Sequence, residues 1–287
     1  MNILITGCGF FTNHFVARLL AEEEYERICI YSRDEFKHAK LRERFDNDKR
    51  LRFFIGDVRD KDRLRHAMQG GPHFQRMNHV VHGAALKRIE TANYNPGELA
   101  KTNVIGTANV VDCCQECGVQ KAVLLSTDKA FEPISAYGQS KALAESLFLA
   151  ANGTGGPCST RFMVTRYGNV AGSTGSVIPT WRSAEADGKT IRIVRDEVTR
   201  FWMNARQAVE LVLLALNEDL PTDLVIPTLR AFTLRDLRNA MFPRPISWQQ
   251  IDLPSYEKPH ESLQVGQCSK DAERMSVDDL RRELANV

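Results

Sequence analysis

A short apolar run, Asn2 to Ile5, passes directly into Gly7-Cys8-Gly9-Phe10-Phe11-Thr12 and then into an amphipathic stretch, Asn13 to Glu24, with Phe15, Val16, Leu19 and Leu20 on one side. A run this short and this continuous is the pattern of a strand buried on both faces of a parallel sheet. Glycine after the strand allows a tight turn, and a helix beginning there aims its first N–H groups and its positive dipole end at one point. Strand, glycine turn and helix therefore start the chain as a βαβ unit with an anion site at the turn. Gly7 suits the turn, Gly9 lets a pyrophosphate approach the backbone, and Phe10 and Phe11 lie beside it. Thr12 stands where a third glycine would permit close helix–strand packing, so cofactor binding is expected to survive with a shifted helix. An ordinary strand-to-helix turn is the plain alternative for this segment alone.

The unit repeats. Ile28 to Tyr31, Leu51 to Ile55, His79 to His82 and Lys121 to Leu125 read as further buried strands, and Asn95 to Cys117 as a long helical pattern. This order predicts an α/β fold, a Rossmann-like doubly wound parallel sheet with ligands outside the strand C-termini. At the end of the second strand an acidic residue would bind a ribose 2′-hydroxyl, whereas arginine accommodates a 2′-phosphate. Ser32 and Arg33 stand there, with Lys37 close behind, and predict NADP rather than NAD; Asp34 weighs the other way. The alternative is a solvated loop of mixed charge. Gly83, Ala84 and Ala85, after the fourth strand, leave room for a nicotinamide ribose.

Leu124 to Lys141, LLSTDKAFEPISAYGQSK, reads as a buried strand, a polar turn and the first turn of a helix. Side chains four apart share a helix face, so Tyr137 and Lys141 can point into one cleft. A nearby cation favours the phenolate, which makes the pair suited to oxidising an alcohol. An exposed helical pair is the bland reading of Tyr-x-x-x-Lys in isolation. Asp128-Lys129 is likewise a solvent-exposed turn when read alone.

Thirty-eight basic against 36 acidic residues leave a net charge of +2, which is no signature of nucleic-acid or membrane binding. No apolar run approaches the ~20 residues needed to span a bilayer, and MNILITG reads as a strand rather than a signal peptide. Seven scattered cysteines predict reduced thiols in a cytoplasm. Cys114-x-x-Cys117 lacks a second ligand pair, so no metal is expected. Asn152-Gly153-Thr154 matches a glycosylation sequon but reads as a loop.

A series of motifs then carries a resemblance: YSRDE at Tyr31, FFIGDVRD at Phe53, HGAALKRIE at His82, NYNP at Asn93, KTNVIGTANV at Lys101, STDKA at Ser126, AYGQSK at Ala136, VTRYGNVAGSTGSVIP at Val164 and TRFW at Thr199. In this order they span most of the chain, which resembles the extended short-chain dehydrogenase/reductase group and, within it, the soluble 5-inverting UDP-N-acetylglucosamine 4,6-dehydratases. The glycine loop is one residue shorter than the pattern of that family. The resemblance implies NADP, tightly bound and regenerated each cycle, with Asp57 and Val58 beside adenine. It puts Lys87 on the substrate side, though a loop lysine is ordinarily just solvated. Asn103 is assigned support near the cofactor. Thr127, Tyr137 and Lys141 become the oxidation set, with Asp128 the acid and Lys129 the base of a dehydration. A tyrosine at position 137 matches the soluble branch, since some membrane-attached relatives have methionine there.

Beyond Arg166 small and turn residues dominate. The resemblance makes this a UDP-sugar segment, with Asn169 near the diphosphate and Val177 at its start. Arg200 is a candidate phosphate ligand or a stacked packing residue. Glu257-Lys258-Pro259-His260-Glu261 resembles a PGEKLHE element of the family, with Tyr256 in place of its glycine, and Glu257 is taken as a substrate contact. Residues 1–168 are expected to form the NADP-binding domain with the catalytic residues, and 169–287 mainly a smaller substrate region. A homo-oligomer is the expected assembly. A nucleotide-sugar 4-epimerase and a non-catalytic NADP-binding scaffold remain the rival readings.

Overall fold

The computed structural model describes residues 1–70, 76–154, 160–195 and 197–287. Its first part alternates β1 (Asn2–Thr6), α1 (Phe10–Leu20), β2 (Arg27–Ser32), α2 (Glu35–Arg44), β3 (Leu51–Ile55), α3 (Lys61–Gln69) and β4 (His79–His82). Two short helices, α4 (Ile89–Tyr94) and α5 (Pro96–Ala100), lead through a π turn at Lys101–Ile105 into α6 (Gly106–Cys117), β5 (Lys121–Leu125), α7 (Ala136–Ala151) and β6 (Arg161–Thr165). There follow α8 (Val177–Ala186), β7 (Ile191–Ile193), β8 (Thr199–Phe201), α9 (Ala205–Asn217) and β9 (Leu224–Val225). The chain ends with β10 (Ala231–Thr233), α10 (Leu234–Met241), β11 (Trp248–Gln250), the hairpin β12 (Ser262–Gln264) and β13 (Gln267–Cys268), and α11 (Val277–Leu284).

Seven strands form one parallel sheet in the order β3-β2-β1-β4-β5-β6-β9. Leu4 sits between Cys29 and Val80, and Val123 between Val81 and Met163. Every residue of β1 is buried, as a strand covered on both faces requires. Successive side chains go to opposite faces. Ile3 and Ile5 join Phe15, Val16 and Leu19 of α1 and Val209 and Val212 of α9. Leu4 joins Val110 and Cys114 of α6 and Phe148 of α7 on the other side. The order reverses beside β1: the chain goes out to β3 and returns at β4. The turns after β1 and β4 therefore meet at the place where a doubly wound sheet opens a crevice.

Helix α1 begins three residues before the expected stretch because Gly9 is its N-cap. The single helix expected over Asn95 to Cys117 is broken into α5, the π turn and α6, ending where Gly118 takes φ 67. A Cβ at Gly106 would lie 2.7 Å from Cγ2 of Val58, so the missing side chain lets α6 close on the loop after β3. Cys113, Cys114 and Cys117 are buried on α6, while Cys158 lies outside the described residues. Asn152 is bonded to both backbone groups of Phe162, which makes the sequon residue an anchor for β6.

The two halves share the sheet. Strand β9 is its seventh member and α9 packs against α1, so residues 205–225 belong to the same layered sheet as β1 and α1 although they follow residue 168. A separate core gathers Ile178, Trp181, Trp202, Phe232, Leu237, Phe242 and Leu280. It supports the short strand pairs β8–β10 and β7–β11 beside the mouth of the crevice.

Candidate active site

A cleft of about 580 Å³ opens along the C-terminal ends of the central strands. At its floor Gly7 takes φ 91, and a Cβ there would stand 3.2 Å from the amide nitrogen of Ala84, so the turns after β1 and β4 lie back to back. A Cβ on Gly9 would meet nothing within 4 Å. As N-cap it offers α1 no side chain, and the first-turn N–H groups, with Phe10 and Phe11, border the cleft without a side-chain acceptor. The Thr12 hydroxyl, buried, donates to the Gly7 carbonyl at 3.0 Å and accepts weakly from Gly9 N–H at 3.4 Å. The residue standing in for a third glycine thus braces the loop onto the helix. This cradle fits the pyrophosphate of a dinucleotide.

At the end of β2, Ser32, Arg33, Lys37, Asp57 and Val58 all border the cleft. Asp34 caps α2 by accepting from the Lys37 amide at 3.1 Å, and its carboxylate pairs with the Lys37 ammonium at 3.0 Å. The acidic residue that argued for NAD thus caps its own helix while also bordering the cleft. Ser32 Oγ is 2.7 Å from His38 Nε2, and the exposed Arg33 reaches Asp57 at 3.3 Å. Burial opposes the Asp57 charge, but Arg59 and Arg33 hold the carboxyl below its usual range.

A continuous hydrogen-bond chain ties the turn after β4 to α7. Thr6 Oγ1 accepts from the N–H groups of Gly83 and Ala84, leaving its own proton for His82 Nδ1 at 2.7 Å. That selects the Nε2–H tautomer, which donates to Thr107 at 3.0 Å, and Thr107 donates to the Asn103 carbonyl at 2.6 Å. Burial pushes the His82 pKa down to about 3, so the ring is neutral. The Asn103 amide bonds both backbone groups of Leu86 and donates to Ser140, whose hydroxyl donates to the Tyr137 carbonyl at 2.7 Å. Asn103 is not on the cleft wall. The π turn delivers it inward as a brace for the Leu86 loop, which supersedes a direct cofactor contact; Ala84, Ala85 and Lys87 do border the cleft. Burial pulls Lys87 below its ordinary pKa, helped by Arg88.

Ser135 caps α7 by accepting from the Gly138 amide at 3.1 Å. A Cβ on Gly138 would lie 2.3 Å from the Lys129 carbonyl, so α7 is held directly against the turn at Asp128–Ala130. Tyr137 and Lys141 both border the cleft, one helical turn apart. Lys141 Nζ donates to the Leu125 carbonyl at 2.7 Å, and burial lowers its pKa to about 8 against the pull of Glu145. The Tyr137 phenol is pushed up to about 12 by burial, while Lys129 and a hydrogen bond with Thr127 work in the other direction. Lys129 is thus a cation that acts on the phenol, while Lys141, one helical turn from Tyr137, is anchored to a backbone carbonyl.

Asp128 and Lys129 occupy a 3-10 turn rather than an extended one. Thr127 Oγ1 donates to Asp128 Oδ1 at 2.9 Å, and Lys129 Nζ lies 3.3 Å from the same oxygen. Asp128 is fully buried behind the cleft wall, and its Oδ2 has no hydrogen-bond partner. Lys129 reaches the wall itself. The neutral lysine expected of a base is not what surrounds it here. Burial disfavours the ammonium, but Asp128 and Glu261, whose Oε1 is 3.1 Å from Nζ, outweigh that and raise its pKa well above the ordinary value.

Ser126 borders the cleft, but its hydroxyl donates at 2.5 Å to Glu145, which also pairs with buried Arg166. Asn169 borders the cleft, but Val177, Arg200 and Glu257 do not. Arg200 Nη2 is 2.9 Å from Glu257 Oε2, and Val177 packs on the C-terminal core. Glu261 and His82 are the site residues that motif reading left unassigned. Glu261 lay inside the quoted YEKPHE segment, and nothing in a single sequence says that its carboxylate returns to residue 129. Among the described residues no group of His, Cys, Asp or Glu could hold a metal ion, and no helix is long and apolar enough to cross a membrane.

The parallel sheet with a glycine turn after β1 and a Tyr–Lys pair on the helix after β5 defines a short-chain dehydrogenase/reductase fold. A family model described as polysaccharide biosynthesis protein matches residues 3–276, and the chain belongs to that family. It is 42% identical over 264 residues, 91% of this chain and 77% of the relative, to the UDP-N-acetylglucosamine 4,6-dehydratase (inverting) of Campylobacter jejuni. It is 37% identical over 286 residues, 97% of this chain and 80% of the relative, to the UDP-glucose 4-epimerase of Rickettsia rickettsii. Among solved structures, Pen from Bacillus thuringiensis superposes with a TM-score of 0.92 at 28% identity, covering 100% of this chain and 98% of the other. The dTDP-glucose 4,6-dehydratase DesIV from Streptomyces venezuelae, solved with NAD bound, shares the fold at a TM-score of 0.81 and 23% identity, covering 99% and 96%.

Proposed function

We propose that this chain dehydrates UDP-N-acetylglucosamine to a UDP-2-acetamido-2,6-dideoxy-hexos-4-ulose, with NADP as resident cofactor and inversion at C5. The observation that carries the reading is Lys129 on the cleft wall beside Tyr137, an ionisable group beyond the oxidation set. The Campylobacter relative, named as an inverting dehydratase, supports it. NADP, when bound, accepts hydride from C4 and returns it to C6. Its pyrophosphate would lie on the Gly7–Gly9 turn, its 2′-phosphate by Ser32, Arg33 and Lys37, and its nicotinamide ribose by Ala84 and Ala85.

Tyr137 takes the proton of the sugar 4-hydroxyl, with Thr127 holding the phenol and Lys129 favouring its charged form. The 4-ketone so formed acidifies the C5 hydrogen, and elimination then needs one proton removed at C5 and one delivered to the departing 6-hydroxyl. Lys129 Nζ is the atom of the Asp128–Lys129 pair that meets the sugar, and Asp128 works behind it. Because Lys129 rests as an ammonium, it first passes a proton to Asp128, 3.3 Å away. The neutral amine then takes the C5 proton, and the proton held by Asp128 goes to the departing 6-hydroxyl, so that water leaves and the pair returns to its starting charges. Lys87 borders the substrate side of the cleft and Asn169 is the residue for the diphosphate, whereas Arg200, off the cleft wall, is occupied by Glu257. A soluble cytoplasmic homo-oligomer is the setting we assign to this activity.

A nucleotide-sugar 4-epimerase is the second reading, favoured by the Rickettsia relative. Purified protein incubated with UDP-N-acetylglucosamine separates them. Mass spectrometry showing a product lighter by one water supports the dehydratase, and an isomer of unchanged mass supports the epimerase.

A further inference from the structure

The contact that closes the site from behind comes from the far end of the chain. Lys258 Nζ donates to the Phe131 carbonyl at 2.7 Å, pinning the 257–261 segment beneath the catalytic turn. The segment is fixed at its other end by Ser269: its hydroxyl accepts from the Glu261 amide at 2.9 Å, and its amide donates to the Glu261 carbonyl at 2.7 Å. Between these anchors the Glu261 side chain, 1% exposed, lies 3.1 Å from Lys129 Nζ through Oε1. Among the described residues its Oε2 has no hydrogen-bond partner, and it stands 3.6 Å from Lys258 Nζ. A carboxylate buried this deeply is tolerated only beside a cation, and Lys129 and Lys258 are the two that face it.

We propose that Glu261 is a positioning residue that acts through Lys129, holding its side chain against the cleft wall and fixing the charge it carries into the reaction. The groups facing Lys129 are Asp128 on its own turn, Tyr137 on α7, Arg200 on β8 and Glu261 itself. Asp128 and Glu261 both favour the ammonium and Arg200 opposes it, so Glu261 is the second of two carboxylates that hold the charge on Lys129. With two carboxylates this close to its ammonium, the proton affinity of Lys129, and the pH limb of turnover that follows it, depends on Glu261 as well as on Asp128. The inference about turnover rests on the dehydratase reading; the inference about charge does not.

Opposite-sign substitutions test it. Glu261→Gln keeps the shape and removes the anion, and Lys258→Met removes the neighbouring cation. In protein labelled with 13C at lysine Cε, the Lys129 resonance is identified by its loss in Lys129→Arg, and its shift is followed against pH without any substrate. Glu261→Gln should lower the proton affinity of Lys129 at least tenfold, one pH unit, while Glu261→Asp restores part of it. The pH limb of turnover should move to lower pH in Glu261→Gln and to higher pH in Lys258→Met. A Lys129 titration unchanged in Glu261→Gln overturns the proposal, as does loss of turnover at every pH with the limb unmoved, which is the mark of a merely structural residue. Should Glu261→Gln not fold, an upward limb in Lys258→Met upholds the coupling and an unmoved one overturns it. If the chain does not dehydrate the sugar, the resonance still reports the coupling, so the two claims fail separately.

Discussion

Lys141 Nζ is held 2.7 Å from the carbonyl oxygen of Leu125, at the C-terminal end of the strand that leads into the catalytic turn. Burial brings its pKa down from 10.5 to about 8. The folded protein therefore binds this proton less well than the unfolded chain, and stability rises with pH between about 8 and 10.5. At pH 7 both states are charged and the folded state bears the cost. Lys141→Met should stabilise the free protein at pH 7 by about 1 to 3 kcal/mol, net of the unsatisfied Leu125 carbonyl. The gain should vanish above pH 10.5, and turnover should be lost at every pH. Urea unfolding at pH 7 and pH 10.5 checks both halves.

The two buried histidines give the acid counterpart. Burial lowers His79 to about 4 and His82 to about 3, with Lys121 and Lys141 acting in the same direction. The unfolded chain takes up protons below about pH 6.5 that the folded one refuses, so stability falls as pH drops from 6.5 towards 4. Each ring should cost about 2 kcal/mol by pH 5. His82→Gln should flatten that slope while lowering stability at pH 7, since Thr6 and Thr107 lose their shared partner.

Arg33 separates the cofactors. Losing a charge-assisted contact costs about 1.5 to 3 kcal/mol, so Arg33→Ala should weaken NADP roughly ten- to a hundredfold and leave NAD little changed. Calorimetry on protein stripped of bound nucleotide measures it. Equal weakening of both would remove the 2′-phosphate from this end of the cleft.

Lys129→Ala divides oxidation from dehydration. General acid–base catalysis contributes about a hundredfold to ten-thousandfold, and that much dehydration should disappear. Tyr137 and Lys141 remain, so cofactor and UDP-sugar binding should persist. A folded Lys129→Ala protein that dehydrates within a few-fold of the parent would place the proton chemistry elsewhere.

Local signals carried much of this fold. The limits of β3, β4 and β5 coincide with short runs rich in apolar residues, LRFFI, HVVH and KAVLL, which is why they were legible. The glycine turn and the Tyr137–Lys141 spacing are local too, and both lie on the cleft. What escaped depends on contacts distant in sequence. Nothing near Leu224 says that it extends the sheet beside Val164. Helical periodicity placed Tyr137 and Lys141 together but could not show that a backbone carbonyl would claim the lysine. One of the two carboxylates at Lys129 is Glu261, whose approach depends on the whole C-terminal path. Asn103 shows the same limit: a polar residue in a helical pattern became a loop brace only through the π turn.

The central claim is that one site oxidises C4, removes water across C5 and C6, and returns the same hydride. UDP-N-acetylglucosamine carrying deuterium at C4, given to the protein in ordinary water, tests it directly by NMR of the product. The account predicts a 4-keto-6-deoxy sugar with the deuterium in its C6 methyl group and a solvent hydrogen at an inverted C5. Recovery of an undehydrated UDP-hexosamine, with deuterium retained at C4 and the C4 configuration exchanged, would contradict it.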